Sequence, residues 1–129
     1  MAHQDGWIEL YTAIEEGKKY SQKLVELCKS SKTGTGETML HWYAIEGAPD
    51  VLEQLIRLGF DVNTQDDFGN TPLMDCSSIK RWDNALVLLK NSADLTIKNK
   101  YGEDYLTYLK EYDLQLPSHI ADWIESNGF

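Results

Sequence analysis

Cysteine, cationic side chains and long apolar runs are all scarce in this 129-residue chain. Its two cysteines, Cys28 and Cys76, form no close-spaced pair of the kind that grips zinc, so free thiols and a cytoplasmic setting are expected. The longest apolar stretches, such as Ala85 to Leu89, fall far short of the roughly 20 residues that a membrane-spanning helix requires. Met1 to Gly6 leads into no apolar run, which argues against a secretory signal. Lys and Arg number 12 against 21 Asp and Glu, a net charge of −9. Such a surface repels polyphosphate backbones, so nucleic acid is not an expected ligand. The same acidity suits either plain solubility or a partner protein with a basic surface.

Chemistry-bearing constellations are missing as well. There is no Gly-x-Ser-x-Gly nucleophile elbow, and Gly34-Thr35-Gly36 lacks the Gly-Lys-Ser/Thr ending of a phosphate loop. His3 and His119 have no partner at a metal-ligand spacing, so neither metal nor cofactor is expected. Asp66-Asp67 and Glu15-Glu16 are adjacent in sequence, and adjacent carboxylates on a turn or helix do not face one substrate bond. An enzyme is not expected; a deep pocket holding His41 together with a carboxylate would reopen that reading.

What is present is a repeat. Gly36-Glu37-Thr38-Met39-Leu40 returns as Gly69-Asn70-Thr71-Pro72-Leu73 and as Gly102-Glu103-Asp104-Tyr105-Leu106, each time 33 residues on. Leu55 to Asn63 reappears with the same shift as Leu88 to Thr96. Within a unit, Leu40, Tyr43 and Ala44 mark one helix, and Val51, Leu52, Leu55 and Ile56 mark a second with amphipathic spacing. Pro49 is suited to the first position of that second helix.

A 33-residue unit reading Gly-x-Thr-x-Leu-His, then a helix, a short turn and a helix ending in Leu-Gly-x-Asp-Val-Asn, resembles the ankyrin repeat. The resemblance covers residues 34 to 112 most clearly. It implies an all-α solenoid of about four stacked antiparallel helix pairs with protruding turns and an atypical capping unit at each end. The expected division of the single domain 1–129 is a capping helix pair at 6–33, repeats at 34–66 and 67–99, and a capping repeat at 100–129. Asp113 to Leu116 lengthens the link between the last two helices. The resemblance implies that the His41 imidazole braces the turn backbone; Met74 stands in its place in the next unit.

The resemblance also implies where a partner would sit, on the turns and the first helix of each pair. Phe68 and Tyr101 fall at successive turn tips, accompanied by Asp66, Asp67, Asn70 and Glu103; Trp42, Asp75 and Tyr108 occupy equivalent places on three inner helices. Aromatic anchors flanked by carboxylates suit a face that binds protein through a few dominant contacts. Packing of Trp42 and Tyr108 between units is the alternative. The expected function is non-catalytic binding that inhibits or sequesters a basic protein partner, the chain itself being a monomer. Small stand-alone ankyrin proteins of bacteria, some of them immunity proteins that neutralise a toxin, are similar; a scaffold bridging two proteins is the other expectation.

Overall fold

In the computed structural model, residues 6–128 are described; His3 and the expected leader-free N-terminus lie outside them. Eight helices make up the regular structure of these residues: α1 (Trp7–Glu15), α2 (Gln22–Ser30), α3 (Met39–Glu46), α4 (Pro49–Arg57), α5 (Pro72–Ser78), α6 (Trp82–Lys90), α7 (Tyr105–Glu111) and α8 (Ser118–Ser126). None is long and apolar enough to cross a membrane.

With seven to nine residues each, these helices are too short to hold themselves together in water. They persist because each buries a face against its neighbours, and α2, α3, α5 and α7 also carry a side-chain N-cap. Thr38, Thr71 and Asp104, spaced 33 apart, cap α3, α5 and α7 by accepting the amide hydrogens of His41, Met74 and Thr107. Pro49 and Pro72 occupy first-turn positions, where a missing N–H costs nothing.

Two rows result. α3 packs on α5 and α5 on α7 along the inner row, while α4 packs on α6 and α6 on α8 along the outer one. The core runs continuously between the rows, from Trp7 and Leu10 through Leu40, Leu52 and Leu55 to Leu73, Leu88, Tyr105 and Ile120. Each fully buried Leu or Ile among them contributes about 1.5 to 3 kcal/mol. The helix pairs share this core instead of owning one each, as expected of a repeat stack.

Polar groups stitch one pair to the next. Arg81 donates to the carbonyls of Ile45 and Gly47, and the buried Asn84 amide donates to those of Ala44 and Gly47, so α6 satisfies the carbonyls that α3 leaves free at its end. Tyr11 stacks on Tyr43 with ring centroids 4.3 Å apart, and its hydroxyl accepts the Ala48 amide hydrogen. Cys28 and Cys76 are buried free thiols, and burial pushes Cys28 up to about 11, leaving it an inert core group.

The 33-residue step carries α3 onto α5, α5 onto α7 and α4 onto α6. It fails at both ends of the stack: α8 begins 36 residues after α6, because the link through Asp113 to Leu116 is longer than its counterparts, and α2 begins only 27 residues before α4.

Candidate functional site

The exposed feature that repeats is the turn preceding each inner helix. Gly36, Gly69 and Gly102 all adopt positive φ, at 85°, 78° and 78°, a region open to glycine and strained for other residues. In each turn the glycine amide donates to the residue three before it, at 3.0, 2.9 and 3.0 Å for Thr33, Asp66 and Asn99. Those same residues donate back to the carbonyls of Glu37, Asn70 and Glu103. Their side-chain oxygens then receive two further amides. Asp66 Oδ1 accepts from Phe68 and Asn70, and Asn99 Oδ1 accepts from Tyr101 and Glu103. Neighbouring turns are joined where Asp67 donates to Thr35 and Lys100 to Phe68, both at 3.0 Å.

His41 bolts the first two turns together. Its Nδ1 accepts the Thr38 amide hydrogen at 3.1 Å, so Nε2 carries the proton and donates to the Asn70 carbonyl at 2.8 Å. Burial holds its pKa below the ordinary imidazole value, keeping the ring neutral. Met74 cannot repeat this. Between the next two turns the link is made by amides, with Gln65 donating to Gly69 and Lys98 carbonyls and Asn99 donating to Asn70 Oδ1 and Glu103.

A cavity of about 300 Å³ opens under these tips. Trp42, Ile45 and Phe68 form its apolar walls; Glu37, Asp66 and Asp75 supply three half-buried carboxylates, with His41 beneath. Among the described residues the ion pairs lie elsewhere, and no Lys or Arg is within ion-pair reach of these three. Desolvation pushes the Asp75 carboxyl up to about 7, with repulsion from Asp66 and Glu37 adding to it. Lys100 reaches the rim, its ammonium 4.9 Å from the centre of the Phe68 ring and 5.6 Å from that of Tyr101.

His41, Asp66 and Asp75 bring one ligand-type atom each to within 4.8 Å of one another. The residue types suit a metal, yet the fit is poor: both imidazole nitrogens are already committed, and Asp66 Oδ1 serves two amides. The pocket also places His41 beside carboxylates, the arrangement an acid-base site would use. Its lining contains no Ser, Thr or Cys to act as a nucleophile, and the His41 proton is held by a backbone carbonyl.

The residues singled out from the sequence divide into three groups. Trp42, Asp66, Phe68 and Asp75 line the cavity together. Asp67 and Tyr101 stand exposed on the tips beside it. Asn70, Glu103 and Tyr108 support from behind: Asn70 holds His41 and Asn99, Glu103 is buried under Asn99 and the Tyr112 hydroxyl, and Tyr108 is buried between α5 and α7. Sequence reasoning missed Glu37 and Ile45 as cavity residues. Glu37 precedes the helix cap, as Asn70 and Glu103 do 33 and 66 residues later, which was signal enough to include it.

The profile of ankyrin repeats in three copies matches residues 10–99. Over 85 residues the chain is 36% identical to protein phosphatase 1 regulatory subunit 12A of Mus musculus, covering 60% of this chain and 8% of that protein. Over 73 residues it is 32% identical to transient receptor potential cation channel subfamily A member 1 of Homo sapiens, covering 57% of this chain and 6% of that one. Similarity to the E3 ubiquitin-protein ligase KEG of Arabidopsis thaliana is 30% over 92 residues, 70% of this chain and 5% of the ligase. The chain thus spans less than a tenth of the length of these relatives. With the matched region covering most of the chain and the same turn, cap and helix pair recurring every 33 residues, this protein belongs to the ankyrin-repeat family.

Proposed function

We propose that the chain is a non-catalytic binding protein that holds a partner with a basic surface across its turn tips and inner helices. The observation that carries this reading is the cavity walled by Trp42 and Phe68 and edged by three carboxylates that no neighbouring Lys or Arg neutralises. Rings and carboxylates in that arrangement can anchor a cationic surface and steer it in, while the hydrogen-bonded turns keep the face preorganised at little entropic cost. Occupation of the partner inhibits or sequesters it; a toxin made by the same cell is the kind of protein that such an immunity role would neutralise, in the cytoplasm. The chain acts as a monomer with no chemistry of its own.

A partner captured from the native cell, then purified, provides the test. Phe68→Ala is expected to weaken binding of that partner by about 1 to 2 kcal/mol, and the pair Phe68→Ala with Asp67→Ala by more. Unchanged affinity in a folded double variant would remove this face from consideration. Assaying the partner's own activity in the complex separates the two modes: inhibition or sequestration lowers it, whereas a scaffold leaves it intact.

A further inference from the structure

We propose that the cavity between α3, α5 and the 66–70 turn receives a single arginine side chain of the partner, its guanidinium seated among Glu37, Asp66 and Asp75 and flanked by Trp42 and Phe68. This deepens the reading given above and rests on it. The cavity is too small for a folded segment, but about 300 Å³ leaves room for one extended side chain.

Charge selects a cation. The donors reaching Glu37 and Asp66 are neutral ones: the Thr33 and Thr35 hydroxyls meet Glu37, and the Phe68 and Asn70 amides meet Asp66. Their negative charge is solvated in part and balanced by no lysine or arginine at contact distance. His41 cannot balance it either, because its ring is neutral and fully committed. The Coulomb attraction on a cation is stronger in a partly desolvated site than at an open surface, and good geometry with several hydrogen bonds is what offsets the cation's own desolvation.

Shape selects arginine over lysine or a metal ion. Three carboxylates approach from different elements, Glu37 and Asp66 from turns and Asp75 from α5, and a planar guanidinium with five N–H donors can serve several of them at once. The same flat group stacks on aromatic rings and tolerates partial burial better than a compact, strongly hydrated ammonium. The Lys100 ammonium already lies 4.9 Å from the centre of the Phe68 ring, which marks that ring as attractive to cations.

The site is pH-dependent in consequence. The groups facing Asp75 are Asp66 and Glu37 on the turns, His41 on α3 and Tyr108 on α7, with Lys100 further out at the Phe68 ring. None supplies a contacting positive charge, so Asp75 holds its proton until about pH 7. Seating a guanidinium expels that proton, and affinity rises between pH 6 and 8.

The test is a solution NMR titration of the intact chain with N-acetyl-arginine N-methylamide, run beside the citrulline analogue, which keeps the shape and loses the charge. Arginine is expected to give saturable shifts at the Trp42 indole N–H and the Ile45 methyls, with the citrulline analogue at least roughly fivefold weaker. Asp75→Asn should weaken arginine by a similar factor and flatten its pH dependence. Equal shifts with citrulline, or no shift with arginine, would overturn the assignment in the wild-type chain, whatever the variant does. If arginine fails to bind while Phe68→Ala still releases the captured partner, the arginine pocket falls and the binding face stands. If arginine fills the cavity while the partner is indifferent to Phe68 and Asp67, the pocket stands and the proposed face falls.

Discussion

Replacing Gly69 with alanine, and separately Gly102, tests how the turns support one another. The two glycines share a φ of 78°, so both variants meet the same intrinsic penalty of roughly 1 to 2 kcal/mol for placing a β-carbon in the left-handed region. Their surroundings differ. A β-carbon at Gly102 has no atom within 4 Å, whereas at Gly69 it would lie 2.8 Å from both the Asn99 α-carbon and the Lys100 nitrogen. Ordinary carbon contacts begin near 3.5 Å, and backbone atoms cannot swing aside as a side-chain tip can. The 99–102 turn must therefore move, stretching the 3.0 Å bond from the Lys100 amide to the Phe68 carbonyl, whose loss adds roughly 0.5 to 1.5 kcal/mol. We expect Gly102→Ala to cost about 1 to 2 kcal/mol and Gly69→Ala about 2 to 4 kcal/mol. Urea unfolding followed by circular dichroism measures both from the shift in midpoint at constant slope. Equal costs for the two variants would refute the claim that successive tips are packed backbone to backbone.

Asp75→Asn is expected to stabilise the chain at pH 8 by roughly 1 to 3 kcal/mol and to be near neutral at pH 4.5. The native carboxyl titrates at about 7 and an unfolded one near 4, so the native state binds the extra proton and wild-type stability falls as pH rises through that window; urea midpoints across pH 4.5 to 8 check it. His41→Ala should cost about 2 to 4 kcal/mol, since it strands the Thr38 amide and the Asn70 carbonyl in a buried place. The His41 contribution has the opposite pH sense: the neutral folded ring loses ground below the unfolded imidazole value of about 6.5, so the wild type minus variant difference should shrink as pH falls to 5. Association with the basic partner is expected to slow markedly between low and physiological salt, measured by stopped-flow fluorescence of Trp42, while a salt-independent rate would reject steering by the carboxylates.

Much of the architecture was readable because it depends on residue types that recur. Glycine at 36, 69 and 102 and the caps at 38, 71 and 104 are repeated chemistry, and the spacing between them set the helix pairs. The turn anchors were harder to see. Thr33, Asp66 and Asn99 do the same work with three different side chains, since all the turn needs is an oxygen that accepts two amides. Asp66 therefore looked like a free carboxylate for a partner, when one of its oxygens is spent inside the turn. Glu103 is grouped with the turn tips by its place in the repeat, but the lengthened link after α7 is preceded by Tyr112, whose hydroxyl covers it, and Asn99 takes up its carboxylate. Period arithmetic aligns Trp42 with Asp75 as equivalents; it does not reveal that Asp75 of one unit leans into the cavity of the unit before it.

Hydrogen–deuterium exchange of the chain with and without its purified partner addresses the central claim most directly. The account predicts that bound partner slows exchange in the 66–70 and 99–103 turns and the start of α3, leaving α4, α6 and α8 as they were. Protection confined to those outer helices, with the turns unchanged, would contradict it.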